Sequence, residues 1–446
     1  MKLVHFVLPV YCLLTSCSVS KQISKQANAL INDSAVSMGH IGISIYEPAT
    51  GKYWYNYQAE KYFVPASNTK LFSLYAGMKY LGDSITAFRY AEDKDTITID
   101  PTGDPTLLHA DYPSQKAFTF LMEKKKPIVI LDNKWKENAL GFGWAWDDYT
   151  SSDMIERSLF PIYGNLIKWI QVKDKPAESR QEGNLVYSEP DVNLPAGQAG
   201  WKVNFSTDTS RNSFSVDRSR EENIYEITFG KERKKEIELP FVTKGVETAA
   251  GLLKDTLNVP VLIRTASTHK DFISIHSRPV DSLFALMMHR SDNFFAEQTL
   301  LMASNVKLGY MSDRRMIDTL LRSDLKDIPQ KPRWVDGSGL SRYNLFTPLD
   351  FVFILKKLKD DFGLERLKVI LPTGGTGTLS TLYKKDSGYI FAKTGTLSNH
   401  VALSGFLITK TNKLLIFSIL PGNFTGAPTP VRKAIEKFLS NIRQRY

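Results

Sequence analysis

A serine placed three residues before a lysine, at the head of an apolar helical run, is the feature that most restricts this chain. The segment reads Pro65-Ala66-Ser67-Asn68-Thr69-Lys70. Leu71, Leu74, Tyr75, Met78 and Leu81 then recur at helical spacing until Gly82 stops the run. Ser67, Lys70, Leu71 and Leu74 share one face, which predicts a buried helix with a reactive pair on it. A serine hydroxyl is a poor nucleophile at neutral pH and needs a base within hydrogen-bond reach. A lysine one turn on can be that base, provided burial and a neighbouring positive charge lower its pKa. Taken alone, Ser67 reads more simply as a helix N-cap.

Two later segments change that balance. Ser291-Asp292-Asn293 sits in His289-Arg290-Ser291-Asp292-Asn293-Phe294, and Lys393-Thr394-Gly395-Thr396 lies in a strand-rich stretch. Strands are expected over Tyr389 to Thr396, Val401 to Thr409 and Leu414 to Leu420, the last two joined as a hairpin through Lys410-Thr411-Asn412-Lys413. Gly395 would let a substrate approach the strand backbone. Lys393 on its own would be a solvated edge lysine; beside the other motifs it is the second cation that the chemistry asks for.

The gap of 224 residues from Ser67 to Ser291 exceeds what the connecting helices of one catalytic domain need. We therefore expect a catalytic domain from residues 17–83 and 270–446, interrupted by an insertion over 84–269. Within it, Tyr187 to Glu238 is polar, with short alternating runs such as Ile224-Tyr225-Glu226-Ile227-Thr228-Phe229, which predicts a nested β-rich subdomain over 160–240. Helices are expected over Ala249 to Leu257, Val280 to Met288 and Pro430 to Ile442, and a strand over Val259 to Arg264.

In this order the three motifs resemble the signature of penicillin-binding proteins and class A β-lactamases. Further segments narrow the resemblance. Asp336-Gly337-Ser338-Gly339-Leu340-Ser341-Arg342, Gly103-Asp104-Pro105-Thr106-Leu107 and Gly143-Trp144-Ala145-Trp146-Asp147-Asp148 resemble segments of the D-alanyl-D-alanine carboxypeptidase/endopeptidase family of low-molecular-mass (class C) penicillin-binding proteins. The likeness runs from about Ile41 to the C-terminus. One departure is Thr102 before a single Gly103, where the family often has several glycines.

The resemblance implies an α/β (α+β) transpeptidase-like domain, with a five-stranded antiparallel sheet flanked by helices. The C-terminal helix would pack beside an N-terminal one over about Ser20 to Val36. It implies a serine-type carboxypeptidase acting on peptidoglycan stem peptides through an acyl-enzyme on Ser67, with β-lactams as covalent inhibitors; an endopeptidase version would cut D-alanyl cross-links with the same residues. Lys70 would be the base, Ser291 the proton relay, Asn293 a holder of the substrate amide and of Lys70, and Lys393 the electrostatic partner. Thr394 and Thr396 would grip the substrate carboxylate, and the N–H groups of Ser67 and Thr396 would form the oxyanion hole. Asp148 and Arg342 match positions linked to recognition of the stem-peptide side chain, though a salt bridge or a turn role fits them equally well. No cofactor is implied. His276, His289 and His400 have no metal-ligand spacing, so no metal is expected.

Residues 1–16 read as a secretory signal: Lys2, an apolar stretch from Leu3 to Leu14, then Leu14-Thr15-Ser16-Cys17, which resembles a bacterial lipobox. Cys12 would leave with the signal, and a lipid on Cys17 would anchor the chain to a membrane without spanning it. The formal charge of +10 suits a polyanionic wall or lipid surface. No nucleic-acid motif is present, and the clusters at Lys124-Lys125-Lys126 and Lys231 to Lys235 read most simply as solvated faces. Two other readings compete with the peptidase. A β-lactamase-like hydrolase shares the three motifs but not the insertion, and no segment here is assignable to its deacylating glutamate. A silent wall-binding lipoprotein would not need all of Ser67, Lys70, Ser291, Asn293 and Lys393.

Overall fold

The computed structural model describes residues 21–172, 185–187, 201–206, 212–269 and 271–446. The signal segment and Cys17 lie outside them. The chain forms two compact units: one from the described parts of 1–78 with 284–292 and 317–446, the other from the described parts of 79–283 with 293–316.

The first unit is built on a five-stranded antiparallel sheet in the order Ile390–Leu397, His400–Ile408, Leu414–Gly422, His40–Glu47, Lys52–Tyr57. Its central strands are buried along nearly their whole length, because both faces of the sheet are covered. On one face Ile43, Ile45, Leu403 and Ile419 pack with Ile23, Ala27 and Leu30 of the helix over 21–31. The same cluster takes in Val431, Ile435, Phe438, Leu439 and Ile442 of the helix Pro428–Arg445. Those five recur at 3.6-residue spacing, so one stripe of this otherwise charged helix enters the core.

The helix Lys70–Tyr80 differs. Every residue from Lys70 to Met78 is buried, polar ones included, which marks a helix packed on all sides rather than a surface one. The strand Ile390–Leu397 is the sheet's edge, and edges left bare are liabilities. Here Ala392 N–H donates outward to Pro372 O at 3.0 Å, and the 3₁₀ turn Ala66–Thr69 packs against the strand.

The second unit carries a mixed five-stranded sheet in the order Val261–Arg264, Ile128–Leu131, Ile97–Pro101, Ser84–Glu92, Ile273–Pro279. Two three-stranded sheets accompany it. One joins Lys234–Pro240, Leu166–Val172 and Leu185–Tyr187; the other joins Lys202–Phe205, Ile224–Thr228 and Ser215–Arg218. The core runs through Phe88, Ile99, Ile130, Trp169, Tyr225, Phe241 and Leu253. This unit takes in more chain than the expected insertion. Ile273–Pro279 pairs with Ser84–Glu92, and the helix Asn293–Leu308 belongs here as well. The strand Ile128–Leu131 has no period-2 signal, because it is apolar and buried throughout. Lys124 and Lys126 are not only solvated charges: both pair with Glu92, at 2.6 and 2.8 Å.

Candidate active site

Ser67 sits in the 3₁₀ turn Ala66–Thr69, and Lys70 opens the α-helix that continues it. Ala66 adopts φ 47°, a left-handed conformation that costs a non-glycine residue about 1–3 kcal/mol. The turn presents Ser67 half-buried while Lys70 is wholly buried. Lys70 Nζ lies 2.9 Å from Ser67 Oγ and donates to Ser338 O at 2.8 Å. Ser67 is therefore not an N-cap; its hydroxyl is engaged by the lysine.

The segment around Ser338 is a wall built for that lysine. Asp336, fully buried, accepts from Gly339 N at 2.8 Å, Ser341 N at 2.6 Å and Asn344 Nδ2 at 2.7 Å, which folds the chain into a tight knot. Ser73, one turn after Lys70, donates to Gly337 O at 2.6 Å. Gly339 has φ 83°, and a Cβ there would stand 1.9 Å from Ala66 O, so the Ser67 turn is seated directly on this glycine. The resemblance singled out Arg342 from this segment. Its supporting residues, Asp336, Ser338 and Gly339, were missed, although the Asp-Gly-Ser-Gly run was the signal for them.

Lys393 is also wholly buried, not a solvated edge residue. Its Nζ donates to Ser291 Oγ at 2.8 Å and to Thr394 O at 2.8 Å. Ser291 follows the helix Val280–His289 and has φ 62°, a second strained non-glycine position at the site. Burial first, and then the nearby positive charge of Lys70, hold the Lys393 ammonium well below the ordinary lysine range.

Asn68 links the two halves of the site. Oriented to satisfy both ends, its Nδ2 donates to Lys393 O at 2.7 Å, and its Oδ1 accepts from Ser404 Oγ at 2.8 Å. Gly395 faces this turn too. A Cβ on it would meet Pro65 O at 2.7 Å and Ser67 N at 3.1 Å, so the close approach that requires glycine is made by the Ser67 turn itself. Ala392 N–H leaves the free edge of its strand. By the period of two, the N–H groups of Thr394 and Thr396 leave it on the same side. The Thr396 hydroxyl accepts from Arg432 Nη2, a partner the sequence did not suggest. Arg342 is exposed and donates to Ser398 O at 3.1 Å, in the turn that follows the Lys393 strand.

Asn293 and Asp148 fall in the second unit. Asn293 opens the helix Asn293–Leu308, and its Nδ2 donates to Asp153 O at 2.8 Å. Asp148 is exposed on the loop after Trp144, with its backbone N–H on Ala145 O at 3.1 Å. The structure thus groups Ser67, Lys70, Ser291, Lys393, Thr394, Gly395, Thr396 and Arg342 in one unit. It places Asn293 and Asp148 on the other.

Residues 23–442 match the family model described as the D-Ala-D-Ala carboxypeptidase 3 (S13) family. Carboxypeptidase DacB of Mycolicibacterium smegmatis is 26% identical over 216 residues, which span 46% of each chain, so under half of that relative's length is matched. The D-alanyl-D-alanine carboxypeptidase of Actinomadura sp. strain R39 is 24% identical over 471 residues, 93% of this chain and 84% of the relative. Among solved structures, penicillin-binding protein 4 of Haemophilus influenzae superposes with a TM-score of 0.74 at 18% identity, covering 95% of this chain and 99% of that one. The same protein has also been solved with a β-lactam bound, at a TM-score of 0.70. At such identity the likeness speaks to the fold.

Proposed function

The chain belongs to the D-Ala-D-Ala carboxypeptidase 3 (S13) family and is a serine-type D-Ala-D-Ala carboxypeptidase; from that premise we propose that its acyl-enzyme forms on Ser67. The observation that carries the assignment is the 2.9 Å line between Ser67 Oγ and a wholly buried Lys70 Nζ. Once the lysine pair has lost a proton, neutral Lys70 takes the Ser67 hydroxyl proton along that line. Oγ then bonds the carbonyl carbon between the two D-alanines. The N–H of Ser67 and the outward N–H of Thr396 are the donors for the developing oxyanion. Ser291, held by Lys393 at 2.8 Å, passes its proton to the leaving nitrogen and recovers one from the lysine pair that took the Ser67 proton, and D-alanine departs. Water then adds to the ester and regenerates Ser67. Asn293 holds the substrate amide, Thr394 and Thr396 the terminal carboxylate, and Asp148 and Arg342 the stem-peptide side chain. Endopeptidase cleavage of D-alanyl cross-links uses the same steps with a longer leaving group.

Labelling with a fluorescent penicillin tests this. Wild type is labelled covalently and slowly released, and Ser67→Ala is folded but unlabelled. Labelling that survives in Ser67→Ala removes that residue from the mechanism, and rapid repeated hydrolysis of penicillin favours the β-lactamase alternative.

For location, the reading is an exported lipoprotein facing the periplasm or cell wall, processed so that Cys17 carries the lipid. It is supported by the apolar run ending in Leu14-Thr15-Ser16-Cys17. A lipid contributes membrane affinity of about 0.8 kcal/mol per buried CH₂. Among the described residues no helix is long and apolar enough to cross a membrane. Cys17→Ala is expected to leave the membrane fraction; a variant that fractionates as the wild type does would refute the anchor.

A further inference from the structure

Three contacts in the second unit share one register. Asp153 O accepts from Asn293 Nδ2 at 2.8 Å, Arg157 Nη1 donates to Glu297 Oε2 at 3.3 Å, and Ser158 N donates to Gln298 Oε1 at 3.3 Å. Residues 153–158 therefore run beside the first two turns of the helix Asn293–Leu308, stitched to it at matching positions. Glu297 lies one turn after Asn293, so the two side chains leave the same helix face.

Arg157 is the centre of this seam. Its side chain is 2% exposed, yet it carries a full charge. Beyond Glu297 it pairs with Asp313 at the start of the next helix and donates through Nη2 to Asn138 O at 2.9 Å. Its backbone N–H holds Ala139 O at 2.8 Å, and its guanidinium lies 5.6 Å from the Trp144 ring centre. Glu137 faces the same group, receiving Ser312 Oγ at 2.6 Å. One fork thus fixes both ends of the loop that carries Trp144, Asp148 and Asp153 and joins it to the helix that begins with Asn293. A lysine could not reproduce this, because its point charge lacks the planar, several-donor fork.

We infer that Arg157 is a positioning residue for the peptidase: through Glu297 and the Asp153–Asn293 hydrogen bond it sets where the Asn293 carboxamide stands. The inference rests on the reading of Asn293 as a substrate-holding residue. Arg157 itself touches no reacting atom in this scheme. Its loss acts by letting the first helical turn and the 144–153 loop drift.

A double-mutant cycle on the full-length protein tests it, reading the acylation rate with a fluorescent penicillin and kcat and KM with a D-Ala-D-Ala peptide, well below each variant's melting temperature. In the wild-type background Arg157→Lys is expected to slow acylation about tenfold to a hundredfold, the scale of a misplacement near 1 Å. The peptide should show the loss mainly in kcat. In the Asn293→Ala background the same substitution should change the rate less than about twofold, since the group it positions is gone. Equal losses in both backgrounds overturn the inference and make Arg157 a general stabiliser. No loss in the wild-type background overturns it too. If Asn293→Ala acylates as wild type does, the reading of Asn293 itself fails, and the inference with it. Should Arg157→Lys not fold, Glu297→Gln, which keeps the shape and one acceptor, carries the same cycle with the same expectations.

Discussion

The two units bury cations in opposite ways. In the first, Lys393 has a hydroxyl and a carbonyl as hydrogen-bond partners, and the causes of its depressed pKa are burial and another cation, Lys70. In the second, Arg157 is as deeply buried but is met by Glu297 and Asp313, with Glu137 beside them, and its charge is reinforced by those carboxylates. The difference follows from what each must do. A lysine pair that must shed a proton to leave Lys70 as the base cannot have a carboxylate beside it, since that would hold the proton on. A clamp has to keep its charge and its geometry, so carboxylates are what hold it. Two strained positions, Ala66 and Ser291, both with positive φ, flank the lysine pair.

The largest effect expected of this contrast is on catalysis. Lys70→Arg should abolish penicillin acylation although it keeps the charge, because a guanidinium cannot give up its proton near neutral pH. Lys393→Arg, which keeps a cation beside Lys70, should retain part of the rate. Acylation rates of both variants across pH decide it, and equal rates would break the assignment of Lys70 as base. Wild type should accelerate as pH rises and the pair loses its proton.

Stability should show the reverse ranking. Arg157→Met strands Glu297 and Asp313 without their cation and should cost about 3–5 kcal/mol, as removing one partner of a buried pair does. Lys393→Met removes a cation whose burial no carboxylate compensates but leaves Ser291 Oγ and Thr394 O without their donor, and should cost less, about 1–3 kcal/mol. Chemical unfolding of the two variants beside wild type gives the comparison directly. Similar losses would mean that Lys393, too, is held by its charge.

The smallest effect is on the pH dependence of stability. Burial first, and then the Asp313 carboxylate, push Glu137 up from 4.5 to about 7. Its raised pKa means that the folded protein binds this proton more tightly than the unfolded chain. The resulting stabilisation is full below about pH 4.5 and is lost as pH rises through about 7. Glu137→Gln removes that loss, so its melting temperature should fall less than that of wild type between those limits. A parallel fall in both proteins would show that Glu137 does not contribute.

Much of the first unit could be read from residues alone. Ser67 and Lys70 are three apart, and one helical turn brings them together whatever else the chain does. The strands expected over 389–396, 401–409 and 414–420 form at 390–397, 400–408 and 414–422, because short apolar runs bounded by turn signals such as Lys410-Thr411-Asn412-Lys413 leave little choice. The second unit was less legible. Its strand Ile128–Leu131 is apolar on both faces and carries no alternation, and the helix Asn293–Leu308 is joined to the rest of the unit by contacts between residues 140 apart in sequence.

By itself, then, the sequence determined the reactive residue types, their order and the local helix and hairpin that display them, since these depend on neighbours within a few residues. Only the tertiary structure decided that Lys393 is buried rather than solvated. It alone decided that Ser338 O receives Lys70, that Gly339 and Gly395 make room for the Ser67 turn, and that Arg157 stands between two carboxylates. Those are long-range facts of burial and partner, and burial and partner are what set the charge of a lysine or the worth of an arginine.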